Sequence, residues 1–386
     1  MQPTHALRVW AEGFGAEDVT SPAMRRAVET WYRLYFDSGP TPDCDPCQRI
    51  PYAVVHKLTR AVFGEYAWQA EGFAKEVMSA LDRQRKKAMQ MALIGGECYL
   101  KPIFGEKLSF RPIDRRNFLV FDRDVGGCVN DMGLAERTRV GDCYYTLLER
   151  RKRGLTIENR LYRARQPGVL GRPVPLGEAY PELSARSEYP GAGLGLAALR
   201  TPVENCVDGS ADPVSVFAAA VGLIENIDRN EAQLSGEFQR GQSRILASAD
   251  LLRRGPDGSR SLSDHLFVGL DDDPDHVGIT VFSPQLREQS FLARKQDYLR
   301  SVETVIGLKR GTLSQVESAP RTATEITETA GDYHLTVLDF RQAWEDAARE
   351  ALQICGHLAP ALNHPGAEKL TGEEVSFTWG NGVLYD

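Results

Sequence analysis

FSPQLREQSFLARKQDYLRSVETVIGLKRGTLSQVESAPRTATEITETAGDYHLTV, residues 282–337, holds the ends of two helices and a polar loop between them. Ser283-Pro284 offers a cap followed by a first-turn proline. Leu292, Leu299, Val302 and Ile306 then share one helical face, and Gly307 is a stop signal. The loop LKRGTLSQVESAPR carries Gly311, Ser314 and Ser318, so its middle is expected to be free while its ends are pinned. Thr322 and Glu325 form a capping box directly after Pro320 and Arg321. From there Ala323, Ile326, Ala330, Tyr333, Val337, Phe340, Trp344, Ala347, Ala351, Ile354 and Leu358 alternate by three and four without a miss. That predicts a helix of about 36 residues, on the order of 54 Å long at ~1.5 Å per residue. Gly331 is its one weak point. A period so regular predicts close packing along the whole length, and an assembly role is favoured over a plain core helix.

Upstream, Asp212-Pro213 repeats the cap-and-proline signal, and Phe217, Val221, Ile224, Leu234 and Phe238 mark a helix to Gly241. Between the two helices, residues 241–283 read as a small β-like insert with the turn-rich run RRGPDGSR and the acidic run DDDPD. The first ~95 residues read as helices. Ser21-Pro22 opens one with Met24, Val28, Trp31 and Tyr35 on a face, and Pro51 opens a second with Val54, Val55, Leu58 and Val62. A third spans about Trp68 to Ile94, is basic at DRQRKKA, and stops at Gly95-Gly96. Strands are expected at ECYLKPIF, KLSFRPI, NFLVFD, CYYTLLERR and TIENRLYRA. Residues 166–212, rich in Pro and Gly, show no period and read as a connecting segment. The C-terminal VSFTWGNGVLYD reads as a strand or hairpin. The class is α+β.

Chemistry-bearing motifs are sparse. The chain has 386 residues, with Lys plus Arg 46 against Asp plus Glu 53, a net charge of −7 that excludes a generally basic nucleic-acid coat. No apolar run reaches the ~18 residues of a membrane span, and MQPTHALRVWAEGFG lacks a signal-peptide core, so a reducing cytoplasm is the expected site of synthesis and assembly. Seven cysteines, an odd number, do not read as a disulfide framework. Cys44 and Cys47 form one CxxC in a Pro-rich loop, better read as loop cysteines than as a metal or redox pair. GAGLG, 191–195, resembles part of a nucleotide loop but has no strand before it and no helix after it. GxxxxGK[ST], HExxH and GxSxG are absent. His265 and His276 flank DDDPD, more plausibly a solvated acidic turn than a cation site. Catalysis, metal and cofactor have no positive signal, and a non-enzymatic role is expected.

The residues from Phe282 onward resemble the portal proteins of tailed double-stranded DNA bacteriophages of the siphophage type. The resemblance rests on Phe282, Pro284, Leu286 and Arg287 at the opening, Ile306-Gly307-Leu308 at the helix end, and TATEI at Thr322–Ile326. FRPIDRRNF, CYYTLLE and ENIDRNEAQLSGEFQRGQSRI extend it upstream, so it covers most of 22–386. The resemblance implies a portal-like fold: a mixed helical and β wing (1–211), a two-helix stem (212–240 and 284–306) bracketing a small α/β clip (241–283), a tunnel loop (307–321), and a long helix toward the crown with a C-terminal strand segment (322–386). Little follows the long helix, so the expected crown is short.

It also implies a homo-oligomeric ring, usually a dodecamer, at one capsid vertex of the virion, conducting double-stranded DNA without sequence preference during packaging and ejection. Implied partners are the terminase large subunit, a head–tail connector or adaptor protein, and the major capsid and scaffolding proteins; no membrane is involved. Lys309, Arg310 and Arg321 become DNA-facing tunnel-loop candidates, set against the one acid Glu317. Arg253, Arg254, Asp271, Asp272 and Asp273 become partner-docking candidates of the clip, whose ~40 residues are too few for an independent core. The alternative is another head–tail connector or minor ring protein. A nucleotide-using enzyme built on GAGLG stands well behind both.

Overall fold

The computed structural model describes residues 3–36, 46–241, 244–247, 253–254, 260–261, 279–282, 285–315 and 323–380. The chain divides into two compact units. The first gathers Met1–Gly39, Arg49–Ile224 and Arg300–Asp386; the second gathers Pro40–Gln48 and Glu225–Leu299.

The first unit is α+β. Its helices begin with α1 (Pro3–Phe14), α2 (Pro22–Phe36) and α3 (Ile50–Val62). Ser21 caps α2 as expected, its Oγ accepting from the Met24 amide at 3.1 Å. The single helix expected over 68–94 is instead three elements: β1 (Tyr66–Gln69), α4 (Gly72–Asp82) and α5 (Arg85–Gly95). Strand β1 exists because it pairs with a segment some 310 residues later, Trp68 standing opposite Phe377. The break between α4 and α5 falls at the basic run. There Arg85 pairs with Asp82 at 2.5 Å and lies 5.5 Å from the Tyr66 ring.

Strands β2 (Glu97–Ile103), β3 (Ser109–Asp114), β4 (Phe118–Arg123), β5 (Val129–Val140), β6 (Cys143–Lys152) and β7 (Thr156–Ala164) come next, then β8 (Arg172–Val174), β9 (Arg186–Glu188) and β10 (Ala197–Arg200). They form two antiparallel sheets. One runs β10-β2-β3, and the other runs β4-β5-β6-β7-β8 with β9 also on β7. Strand β5, at 12 residues, carries no clean sequence signal, because Gly133 and Glu136 interrupt its alternation. Both have partners. A Cβ on Gly133 would meet the Phe121 ring at 3.0 Å, and Glu136 receives Lys101 at 3.1 Å and Arg111 at 2.6 Å. Nor is the 166–212 stretch merely a connector. Leu170 joins the core beneath α1, β8 and β9 extend the larger sheet, and β10 pairs with β2. Such short strands are set by their partners, which no local period reveals.

Apolar clusters among the described residues support the sheets. Leu7 and Trp10 of α1 pack on Leu119, Phe121 and Leu148. Tyr99, Phe118, Met132 and Leu196 form a second cluster, and Tyr145, Leu147 and Leu161 a third. The long helix α8 (Ala323–Ala361) has 39 residues and runs through Gly331 as one helix. Thr322 and its capping box lie outside the described residues. Val337, Phe340, Trp344, Ala347, Ala351 and Leu358 are buried within this unit, Trp344 edge-on to Phe63 at 5.3 Å. That corrects the assembly reading for the described part of the seam: it is a core helix. Its neighbour β15 (Ser376–Trp379) closes the two-stranded sheet with β1.

The helix expected from Asp212 begins instead at Val221, as α6 (Val221–Arg240) after one 3-10 turn. Residues 212–217 are claimed by other partners. Asp212 binds Arg123 at 2.8 Å, Thr201 Oγ1 donates to the Val214 carbonyl, and the Val216 amide donates to the Leu93 carbonyl.

In the second unit, the part of α6 from Glu225 and the part of α7 (Glu288–Ile306) up to Leu299 lie antiparallel. Arg287 clasps Glu237 at 3.0 and 2.8 Å, Asn230 donates to the Phe291 carbonyl, and Lys295 reaches Glu231 at 3.0 Å. Residues 285–287 are not helical, so α7 starts later than its Ser283-Pro284 signal. The cap itself lies outside the described residues. Strands β11 (Arg244–Ala247) and β14 (Ile279–Phe282) pair antiparallel and continue the helix pair, and β12 (Arg253–Arg254) pairs with β13 (Arg260–Ser261). Here sequence order and structure agree: two helices enclose a β insert.

Candidate functional site

The loop after α7 begins with a stop that only glycine fits. Gly307 has φ +75°, and the Leu308 amide bonds back to the Glu303 carbonyl at 2.8 Å, the six-to-one bond of a Schellman cap. A Cβ at Gly307 would collide with Thr336 Oγ1 on α8. Gly307→Ala is therefore expected to cost at least ~1–2 kcal/mol from the left-handed backbone alone, read as a lower urea midpoint with an unchanged slope.

Lys309 to Thr312 forms a tight turn, the Thr312 amide donating to the Lys309 carbonyl at 3.0 Å, with Gly311 at φ +90° in its third position. Lys309 and Arg310 are exposed at this turn, and neither makes an ion pair among the described residues. Beneath it lies Glu303, 1% exposed. Its carboxylate accepts from the amides of Gly311 (3.2 Å), Leu313 (2.5 Å) and Ser314 (2.8 Å) and from Ser314 Oγ (2.7 Å). Lys57 Nζ donates to the Thr312 carbonyl on the other side. The half of the loop that carries Lys309 and Arg310 is thus held, not free. Gly311 and Ser314, expected to loosen it, are the residues that fasten it. The sequence signal for Glu303 was present but subtle: it sits on the apolar stripe of Leu299, Val302 and Ile306, where an unpartnered carboxylate would be costly.

Arg321 and Glu317 lie outside the described residues, as do Asp271, Asp272, Asp273 and the histidines beside them. Arg253 and Arg254 form β12, Arg254 in register with Arg260. They belong to the second unit and Lys309 and Arg310 to the first. At GAGLG, Gly191, Gly193 and Gly195 all have positive φ, but the loop presents carbonyls. Arg151 donates to Leu194 and Gly195, and the Leu155 amide to Gly193. A phosphate cradle needs the opposite polarity, donors pointing inward, and it opens a helix, whereas GAGLG leads into strand β10. Cys44 is outside the described residues and Cys47 is half-buried. No cluster of three or more His, Cys, Asp or Glu side chains spaced for a metal occurs among the described residues, and no described helix is long and apolar enough to cross a membrane.

Sequence reasoning also missed a buried charge cluster. Glu97, fully buried on β2, receives Arg123 at 2.8 Å and lies 3.7 Å from both Arg115 and Arg200. Arg200 is its cross-strand partner on β10, a pairing invisible until that strand is known.

No family model matches the chain, and no curated protein matches it. Among solved structures it is similar to a chain described as "Neck of native GTA particle computed with C12 symmetry". The identity is 13% and the TM-score 0.44, over 96% of this chain and 88% of that one. At that score the function has to be argued from this chain's own residues and element order.

Proposed function

We propose that this chain is a portal-type protein, one subunit of a homo-oligomeric ring that conducts double-stranded DNA at a capsid vertex and docks a terminase and a head–tail connector. The observation that carries the reading is the order from α6 to α8. An antiparallel helix pair is continued by the β11–β14 ribbon around an insert, and then comes a glycine-stopped loop with two exposed cations and a 39-residue helix. That order coincides with the stem, clip, tunnel loop and channel helix implied by the sequence resemblance.

The physics of conduction suits the loop. A channel must hold DNA weakly and without base preference, since tight binding at any register would stall it. A few phosphate-directed cations repeated by rotation supply this. Lys309 and Arg310 fit because Glu303 and the turn hold them at a constant height while their side chains stay in solvent. Ring assembly is tested by native mass measurement of the full chain: a discrete oligomer of many subunits is expected. A monomer or dimer under every assembly condition would remove the reading.

A further inference from the structure

The exposed faces of α3 and α8, both in the first unit, are of opposite chemistry. From Ile50 to Val62, α3 carries no acid; its exposed residues are Tyr52, Lys57 and Arg60, with His56 half-buried beside them. Tyr52, 49% exposed, has its ring centroid 4.1 Å from that of His56 and 6.0 Å from that of Tyr35 on α2. Tyr35 in turn meets Phe36, which is 50% exposed. This face is aromatic and basic. On α8 the exposed residues from His334 to Asp346 are His334, Leu335, Leu338, Asp339, Gln342 and Asp346, with no lysine or arginine among them. Leu335 and Leu338 are 59% and 40% exposed. Asp346 accepts from Gln342 Nε2 at 2.8 Å, and neither aspartate forms an ion pair among the described residues. This face is aliphatic and acidic.

The two faces point away from each other, because the helices meet through their buried sides. Arg341 Nε of α8 donates to the Val62 carbonyl of α3 at 3.4 Å, and Phe63, directly after α3, stands edge-on to Trp344. Arg341 and Trp344 are buried. At ~100° per residue, Leu335, Asp339, Gln342 and Asp346 lie roughly opposite them around α8, with Leu338 at the margin. On α3, Val54, Leu58 and Val62 fill the buried side, and Lys57 and Arg60 lie toward the opposite one. The faces are also of similar length, about 12 Å from Tyr52 to Arg60 and about 16 Å from Leu335 to Asp346 at ~1.5 Å per residue.

We propose that these faces are the two halves of one interface, α3 of one copy of this chain packing on α8 of the next. Opposite chemistry on opposite sides is what a head-to-tail contact needs, and copies joined in that way form a ring when the rotation closes. A single partner cannot engage both faces at once. A two-fold contact would instead set α3 against α3 or α8 against α8, placing like charges together. Head to tail, Tyr52 and Phe36 supply aromatic anchors for Leu335 and Leu338, while Lys57 and Arg60 face Asp339 and Asp346 and fix the direction of approach. This inference rests on the ring reading and names the surfaces that reading requires.

Native mass measurement of the full chain tests this with two variants. Lys57→Glu with Arg60→Glu makes both faces acidic, and Asp339→Arg with Asp346→Arg makes both basic. Each variant alone should need about tenfold or more protein to assemble than the wild type, since like charges meet at every contact. Mixed one to one, the two should assemble again in alternation, because each altered face then meets its opposite. Lys57 also holds the Thr312 carbonyl, but mixing does not restore that bond, so rescue reports the interface. Circular dichroism should show both variants folded; where a double variant is not, Arg60→Glu and Asp346→Arg carry the same mixing test. Full assembly by either variant alone, or no rescue in the mixture, overturns the pairing and leaves these faces to another partner. A wild-type chain that stays monomeric under every assembly condition removes the ring reading and this interface with it. Wild-type oligomers that both variants also form remove the interface alone.

Discussion

Glu97→Ala is expected to lower the unfolding free energy by about 3–5 kcal/mol, the usual cost of removing one side of a buried ion cluster. The loss is large because three arginines converge on one fully buried carboxylate and would be left without it. Asp212 pairs directly with Arg123 and lies farther from the others. The cluster also ties distant parts of the first unit together, since Glu97, the Arg115–Arg123 stretch, Arg200 and Asp212 lie apart along the chain.

The pH dependence identifies the charge as the cause. Burial pushes the Glu97 carboxyl up, but Arg123, Arg115 and Arg200 together pull it below the ordinary range. Glu149 behaves alike: burial raises it, Arg151 and Lys101 outweigh that, and its pKa falls to about 2. A carboxyl depressed in the folded state contributes fully above its unfolded value, ~4.3, and loses the contribution as pH falls toward its folded value. The deficit of Glu97→Ala, taken from urea midpoints, should therefore be full at neutral pH and shrink below about pH 4. A deficit equal at pH 7 and pH 3 would show packing, not charge, to be responsible.

The second large effect follows from the proposed portal role and is on DNA packaging. Lys309→Glu with Arg310→Glu changes the loop from two positive charges to two negative ones, and the proposed ring would repeat the change in every subunit. Assembly should be unaffected, because both side chains are exposed and the turn beneath them is held by Glu303, Gly311 and Ser314. DNA-filled particles should fall by about tenfold or more, and the defect should be worst at low salt, where phosphate repulsion is least screened. Lys309→Ala alone should do little. Full packaging by the double reversal at low and moderate salt would make these charges bystanders and turn attention to the helices as the channel lining.

How much of this was legible in advance depends on the range of the interactions involved. Ser21, Gly307 and the three-four alternation of α8 act within a turn or two of helix, so they could be read directly. Four of the five expected strands lie within a residue or so of their predicted starts for the same reason, the exception being β3, which starts two residues late. The charge pair Lys309-Arg310 needed no structure to be noticed, but its fixed footing did. Glu303 stands on the apolar stripe of α7 as a carboxylate in need of a partner, but which amides it holds is set only when its loop folds back on it.

What sequence pattern could not supply is always a partner far along the chain. Tyr66–Gln69 is a strand because Ser376–Trp379 lies beside it. Ala197–Arg200 is one because Glu97–Leu100 does, and that same pairing brings Arg200 to Glu97. Residues 212–217 forgo their helical start because Arg123, Thr201 and Leu93 offer them better bonds. Helix caps, stops and faces are local energies, written in neighbouring residues. Strand identity and buried ion pairs are contact energies between segments, and they have values only once the chain has brought those segments together.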